Sequence, residues 1–314
     1  MESLVNNTKS FIREHVGNYM LELGRTDERV VVVNADLMKT CRNTSFVEEY
    51  PNRSFNVGIA EQNLVSFSAG LAHEGFIPYA FSMAPFISMR ACEQCRTDIA
   101  YGNCNVRLIA CYSGLSGGIS GATHWGIEDC AIMTSMPNMV VLEPSDSYQA
   151  KRLLDISLSH EGPVYMRITV EPTEDIYEKN IFKIGGSNEV ISGEDGAFLC
   201  SGVIVSKAVH AAQKIYETTG KKVRVIDLYS IKPVDEKAII EAAETGHVVV
   251  AQDHLKIGGL GDIVSRVIAR NGLSTKLCVL GVEDEFSTMA HAPALYEKYR
   301  LDETGLTEAM LGIL

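Results

Sequence analysis

The chain has 314 residues, a formal net charge of −12, and 46% hydrophobic against 22% charged residues. An acidic balance leaves no basic surplus to neutralise phosphates, which excludes an obvious nucleic-acid or anionic-membrane partner, and no apolar run reaches the roughly 18 to 20 residues that span a bilayer. The length predicts two domains, and Met1 to Asn7 show no basic stretch ahead of an apolar one, so the expectation is a cytoplasmic protein without a signal peptide.

Residues 8–23 read as a first helix, with Ile12, Val16, Tyr19, Met20 and Leu23 on one face and Gly24 as its stop. Val30 to Val33 is a continuous apolar run, the pattern of a strand buried on both faces. A further short run ends at Gly58, and Glu61 stands where strand should pass into helix. Leu64, Phe67 and Leu71 then recur at helical spacing until Gly75. A carboxylate at the C-terminal end of a strand is where an open α/β sheet keeps its ligands. The same glutamate equally suits a helix N-terminus with no chemistry attached.

A strand over 76–82, a helix over 85–101 and a strand over 107–112 follow. Of the eight cysteines, Cys92 and Cys95 form a C-x-x-C inside that helix, with no second pair and no suitably spaced histidine. Buried reduced thiols are expected there rather than a zinc or redox site, and no metal ligands are assigned to this chain. Ser113 to Gly126 holds five glycines in fourteen residues, with His124 and the single Trp125 at its far end. The expectation is an irregular loop, and a loop this long in a compact domain is usually functional.

A helix (128–135), a strand (139–143), a helix begun by Ser145 or Asp146 and a strand at 164–168 complete the first set of alternations. Residues 171–195 are polar and turn-rich, like a linker. Strands at 197–200, 223–228, 247–251 and 276–281 then alternate with helices at 203–217, 235–244 and 260–271. The expected fold is α/β: two doubly wound, mostly parallel domains at 1–172 and 190–314, joined by a linker over 173–189.

The words Gly58-Ile59-Ala60-Glu61-Gln62-Asn63, Gly121-Ala122-Thr123-His124, Pro137-Asn138-Met139, Pro144-Ser145-Asp146 and Gly162-Pro163-Val164-Tyr165 stand in this order. With them the chain resembles, end to end, the C-terminal half of transketolase. The resemblance implies a thiamine-diphosphate enzyme that moves a two-carbon unit from a ketose to an aldose. Glu61 would bond the aminopyrimidine and control its proton, which calls for a raised pKa from burial among Ile59, Leu64 and Val65. Phe86 would stack on the ring, Met83 would replace a second family aromatic, and His124 would face the reacting carbonyl and hydroxyl groups.

The family's magnesium and diphosphate motif is not spelled here; Gly261-Asp262-Ile263 is the nearest approach. The resemblance therefore implies a second, N-terminal subunit holding Mg2+ and the diphosphate, with two copies of each chain. Around the sugar the chain departs from the family. Ile119-Ser120-Gly121 replaces a Gly-Glu-Asp-Gly word, and Trp125 replaces a glutamine. Arg13 and Thr40 keep two positions of the phosphate clamp, whereas Tyr112 and Val170 replace its histidine and second arginine. Arg167 should point to the opposite face and cannot compensate. A lost guanidinium contact is worth about 1.5–3 kcal/mol, so a sulfonate or an unusual sugar phosphate is the expected substrate. Alternatives are a beta-type subunit of a 2-oxo-acid dehydrogenase, a deoxyxylulose-phosphate-synthase-like enzyme, or a non-catalytic regulatory subunit.

Overall fold

A computed structural model describes residues 6–314. Its first half is a seven-stranded sheet. The strands run, edge to edge, Ser230–Lys232, Val140–Leu142, Val164–Ile168, Arg107–Cys111, Ile77–Met83, Val30–Asn34 and Ser54–Asn56. All neighbours pair in parallel except the first. Val30–Asn34, Ile77–Met83, Arg107–Cys111 and Val164–Ile168 are buried throughout, as their largely apolar runs require once helices cover both faces, with Arg107 and Arg167 as the buried charged exceptions. The second half is a five-stranded sheet in the order Lys276–Val282, His247–Leu255, Gly196–Cys200, Val223–Asp227 and an antiparallel edge, Asn188–Ile191.

The alternation of apolar runs is therefore realised as two parallel-sheet units, with four differences. The first helix starts at Ile12, not residue 8, because Asn6–Ser10 pairs as a strand with Thr173–Asp175 in the segment read as linker. Ser230–Lys232 leaves the second unit and closes the edge of the first sheet, an exchange that three residues of sequence do not announce. Helices Ala292–Lys298 and Glu303–Ile313 were not anticipated; the latter packs on helix Ile204–Thr219 of the second unit. The helix over 85–101 is a succession of wide π-type turns, Phe86–Arg90 and Cys95–Ala100, around a short α turn. Cys95 is buried there, its thiol pKa pushed up by burial and its Sγ facing the Ile87 carbonyl at 3.5 Å. Among the described residues no helix is long and apolar enough to cross a membrane.

The two units share one core: a single buried cluster runs from Val33, Leu64 and Leu108 to Leu199, Val250 and Val264. Buried polar groups lock the same boundary. Arg167 is fully buried and donates through Nε to both Asp129 oxygens at 3.0 Å, through Nη1 to Glu143, and through Nη2 to the carbonyls of Gly126 (2.9 Å) and Asp253 (2.6 Å). Glu143 also accepts from Ser201 and Gln252 of the second unit. Arg167 thus faces the unit boundary and is unavailable to a sugar.

A further buried carboxylate at this boundary, beyond Asp129 and Glu143, makes a pH prediction. Asp227 Oδ2 accepts from Ser145, Gln149 and Tyr177 at 2.8–2.9 Å, while among the described residues Oδ1 has no partner. Burial pushes its pKa up to about 7 against the pull of those hydrogen bonds. An unfolded aspartate titrates near 3.9, about three units lower. The contribution of this group to stability is therefore full below about pH 4 and lost as pH rises through about 7. Asp227→Asn, neutral at every pH, should exceed the parent by roughly 2–4 kcal/mol at about pH 8 and match it near pH 4. Denaturant titrations at the two pH values check this; an equal gain at both would contradict it.

Candidate functional site

The C-terminal ends of the parallel strands carry the candidate residues, where the crevice of an open α/β sheet lies. Strand Ser54–Asn56 leads through Gly58, at φ +78°, into helix Glu61–His73. Glu61 is its first helical residue and only 1% exposed. It stands in the first turn of that helix, and Leu64 and Val65, one turn further on, are fully buried in the core. Ile59 does not help to bury it: that side chain is 78% exposed, because the turn carries it to the rim. Ser82 Oγ donates to Glu61 Oε1 at 3.2 Å, and Arg90 Nη1 pairs with Oε2 at 2.6 Å.

Strand Ile77–Met83 ends at the buried Met83, and the chain turns through Pro85 into Phe86. The Phe86 ring meets the His124 imidazole edge-on, centroids 5.5 Å apart, and the Arg90 guanidinium lies 4.1 Å from the Phe86 centroid. Thr123 Oγ1 is 2.8 Å from His124 Nδ1, which holds the imidazole at the cleft. Glu61, Phe86 and His124 are thus brought into one constellation from three separate parts of the chain. Phe86 and Arg90, the ion partner of Glu61, line a cleft of about 450 Å³ together with Met89, Thr123, Trp125 and, from the second unit, Phe286. A larger cavity of about 760 Å³ lies elsewhere, by Ser10, Lys151 and Asp175, away from these groups.

The glycine-rich stretch is irregular only in part, with short turns broken by a kink at Gly118, where φ is +47°. Leu115–Ser120 and Ala122–His124 form 3-10 turns, and Leu115 to Gly118 are buried. Three contacts fix it: Leu115 N–H donates to Asp253 at 2.8 Å, Trp125 Nε1 donates to the Gly118 carbonyl at 3.0 Å, and Asp253 is held in turn by the Tyr296 hydroxyl. Gly114 has φ +58°, and a Cβ there would lie 2.1 Å from the Asp253 carboxyl, so glycine is required for this close approach. The loop that presents His124 is rigid because the second unit grips it.

The other candidates form a second group. Cys41, beside Thr40, touches Cys111, beside Tyr112; that hydrogen bond and burial push the Cys41 thiol well up. Arg13 lies near Cys41 and near Glu171, the neighbour of Val170. Among the described residues its buried Nε has no partner. Lys207 and His291 also act on Glu171, whose carboxyl is pushed up by burial against their pull. Tyr112, half-buried, adopts φ +61°, an uncommon conformation for an aromatic residue. Ser120 is exposed at the tip of the glycine-rich turns. Sequence reasoning missed Ser82 and Arg90, although Arg90 follows Phe86 by one helical turn, a spacing that could have flagged it. The buried Asp129, Cys130 and His254 bring ligand-type atoms within 4.8 Å of one another, but Tyr165 and Arg167 already occupy both Asp129 oxygens.

Fold and site define a class: an enzyme subunit of two parallel-sheet domains with a cleft at the strand ends, walled by both. Residues 9–173 match the transketolase pyrimidine-binding domain and residues 185–306 the transketolase C-terminal domain. A transketolase C-terminal section from Methanocaldococcus jannaschii is 38% identical over 96% of this chain and 95% of its own length. The 6-deoxy-6-sulfo-D-fructose transketolase subunit SqwH of a Clostridium strain is 33% identical, covering 95% and 93%. An apulose-4-phosphate transketolase subunit of Phocaeicola vulgatus is 33% identical, covering 95% and 96%. A solved split-gene transketolase, an inactive beta4 tetramer, superposes with a TM-score of 0.89 at 35% identity over 97% of this chain and 98% of that one. The chain belongs to the transketolase family, whose enzymes depend on thiamine diphosphate.

Proposed function

We propose that the chain is the C-terminal subunit of a split transketolase, with a pyrimidine-binding domain at 1–172, a linker at 173–189 and a C-terminal domain at 190–314. The observation that carries the reading is the buried Glu61 carboxylate beside the Phe86 ring, with His124 edge-on to that ring. The donor set fits an aminopyrimidine: the Glu61–Phe86 pair already holds a planar, N–H-donating cation in the Arg90 guanidinium. When bound, thiamine diphosphate supplies the electron sink for breaking and making the ketose carbon–carbon bond. Glu61 accepts and returns a proton at the pyrimidine nitrogen, and its buried place at a helix N-terminus holds it in position. Phe86 offers the stacking face, with Met83 and Ile59 beside it. His124 moves protons at the substrate's carbonyl and hydroxyl oxygens, its ring held by Thr123.

The diphosphate and Mg2+ belong, in this reading, to an N-terminal partner subunit, in an assembly of two copies of each chain. Exposed Ile59, Met89, Phe286 and Met289 supply apolar surface around the cleft for that partner. Arg13, Thr40, Tyr112 and Ser120 hold the far end of the sugar, with Val170 where a second arginine would sit. The relatives named for sulfofructose and apulose phosphate support a substrate outside the common pentose phosphates. The test is reconstitution with the partner and a screen of sulfonated, phosphorylated and unsubstituted ketoses. Turnover is expected only with both chains present and best with a sulfonated or unusual phosphorylated ketose. Efficient use of xylulose 5-phosphate with ribose 5-phosphate, and of nothing better, would refute the substrate assignment.

A further inference from the structure

Arg90 makes two contacts at once. Its Nη1 donates to Glu61 Oε2 at 2.6 Å, and its guanidinium lies 4.1 Å from the Phe86 ring centroid. Ser82 meanwhile occupies the other Glu61 oxygen. A guanidinium is planar, donates N–H bonds in its own plane and stacks on aromatic faces. An aminopyrimidine held by a carboxylate and stacked on an aromatic ring requires the same pair of contacts. The two demands fall on the same atoms. The Arg90 side chain is 47% exposed while that of Glu61 is 1% exposed, so Arg90 can rotate into solvent without disturbing the core, and Glu61 cannot move. Arg90 also closes the first of the wide turns, Phe86–Arg90, so the competing cation and the stacking ring come from one segment.

We propose that Arg90 is a built-in competitor of the cofactor: it occupies the pyrimidine position when thiamine diphosphate is absent and leaves when the cofactor binds. The proposal rests on the assignment of Glu61 and Phe86 above. Its physical purpose follows from burial. An unpaired carboxylate at 1% exposure is strongly unfavourable, and Arg90 answers its charge until the ligand arrives. The consequence is a reduced apparent affinity, since cofactor binds only the fraction of molecules in which Arg90 has swung away.

Equilibrium titration of the reconstituted two-chain complex with thiamine diphosphate tests this. The readout is the heat of binding by calorimetry, with quenching of Trp125, the single tryptophan of this chain and part of the cleft wall, as a second signal. Arg90→Ala and Arg90→Gln should each lower the dissociation constant, by on the order of tenfold for a competitor that is rarely displaced. Arg90→Gln keeps a neutral hydrogen-bond donor beside Glu61 and serves if the alanine variant folds poorly. Added ethylguanidinium should raise the dissociation constant of Arg90→Ala competitively and leave the parent unchanged. Equal or weaker cofactor binding in both variants, or ethylguanidinium without effect on Arg90→Ala, would overturn the proposal. If no protein, parent included, binds thiamine diphosphate, the assignment of Glu61 and Phe86 fails. Calorimetric titration of Arg90→Ala with ethylguanidinium alone then still reports whether the vacated position takes a planar cation.

Discussion

Glu61→Gln in the assembled enzyme should lower two-carbon transfer by two or more orders of magnitude while the chain stays folded. Glutamine has the same length and can keep a bond to Ser82, so the helix Glu61–His73 should form as before. What it cannot do is carry and release a proton. Acid–base catalysis by a positioned side chain contributes about 10²–10⁴-fold, and a hundredfold loss corresponds to roughly 2.7 kcal/mol in the barrier. Initial rates with saturating cofactor, paired with circular dichroism, read the two effects separately. Near-parental turnover by this variant would remove Glu61 from the reaction and leave it a buried helix-capping carboxylate.

Arg167→Met should destabilise the chain by about 3–5 kcal/mol, the range for removing one partner of a buried ion network. Asp129 is 0% exposed and Glu143 3% exposed, and without the guanidinium both buried charges lose their counter-charge and keep only neutral donors, Tyr165 for Asp129 and Ser201 and Gln252 for Glu143. The carbonyls of Gly126 and Asp253 lose their donor as well. The damage should reach the site, because Gly126 ends the glycine-rich stretch and Asp253 anchors its start through Leu115. Urea unfolding measures the loss, and a change below about 1 kcal/mol would mean that methionine packing offsets the network, as it does for some buried ion pairs. The variant should also weaken substrate use more than cofactor binding, since His124 hangs from the loop and Glu61 does not.

The parallel strands were legible because a strand covered on both faces is apolar along most of its length, as Val30 to Val33 is throughout and Val164 to Ile168 is but for Arg167. Glu61 was legible as a carboxylate at a strand-to-helix junction, and the ordered words around it carried the family. Ser230–Lys232 was not, since three residues carry no period and its partner lies about ninety residues away. The wide turns of 86–100 were equally hidden: the spacing of apolar residues cannot distinguish them from a regular helix.

The sequence by itself determined the fold class, the two-unit organisation and which residue types stand at the strand ends, because periodicity and glycine placement are local properties. Only the tertiary structure decided that Ile59 is exposed, that the glycine-rich stretch is held rigid by Asp253, and that Arg90 rests on Glu61 and Phe86. Those facts depend on groups 29 and 138 residues apart meeting in space. Contact at that range is set by how the sheets and helices pack, and no local spacing encodes it.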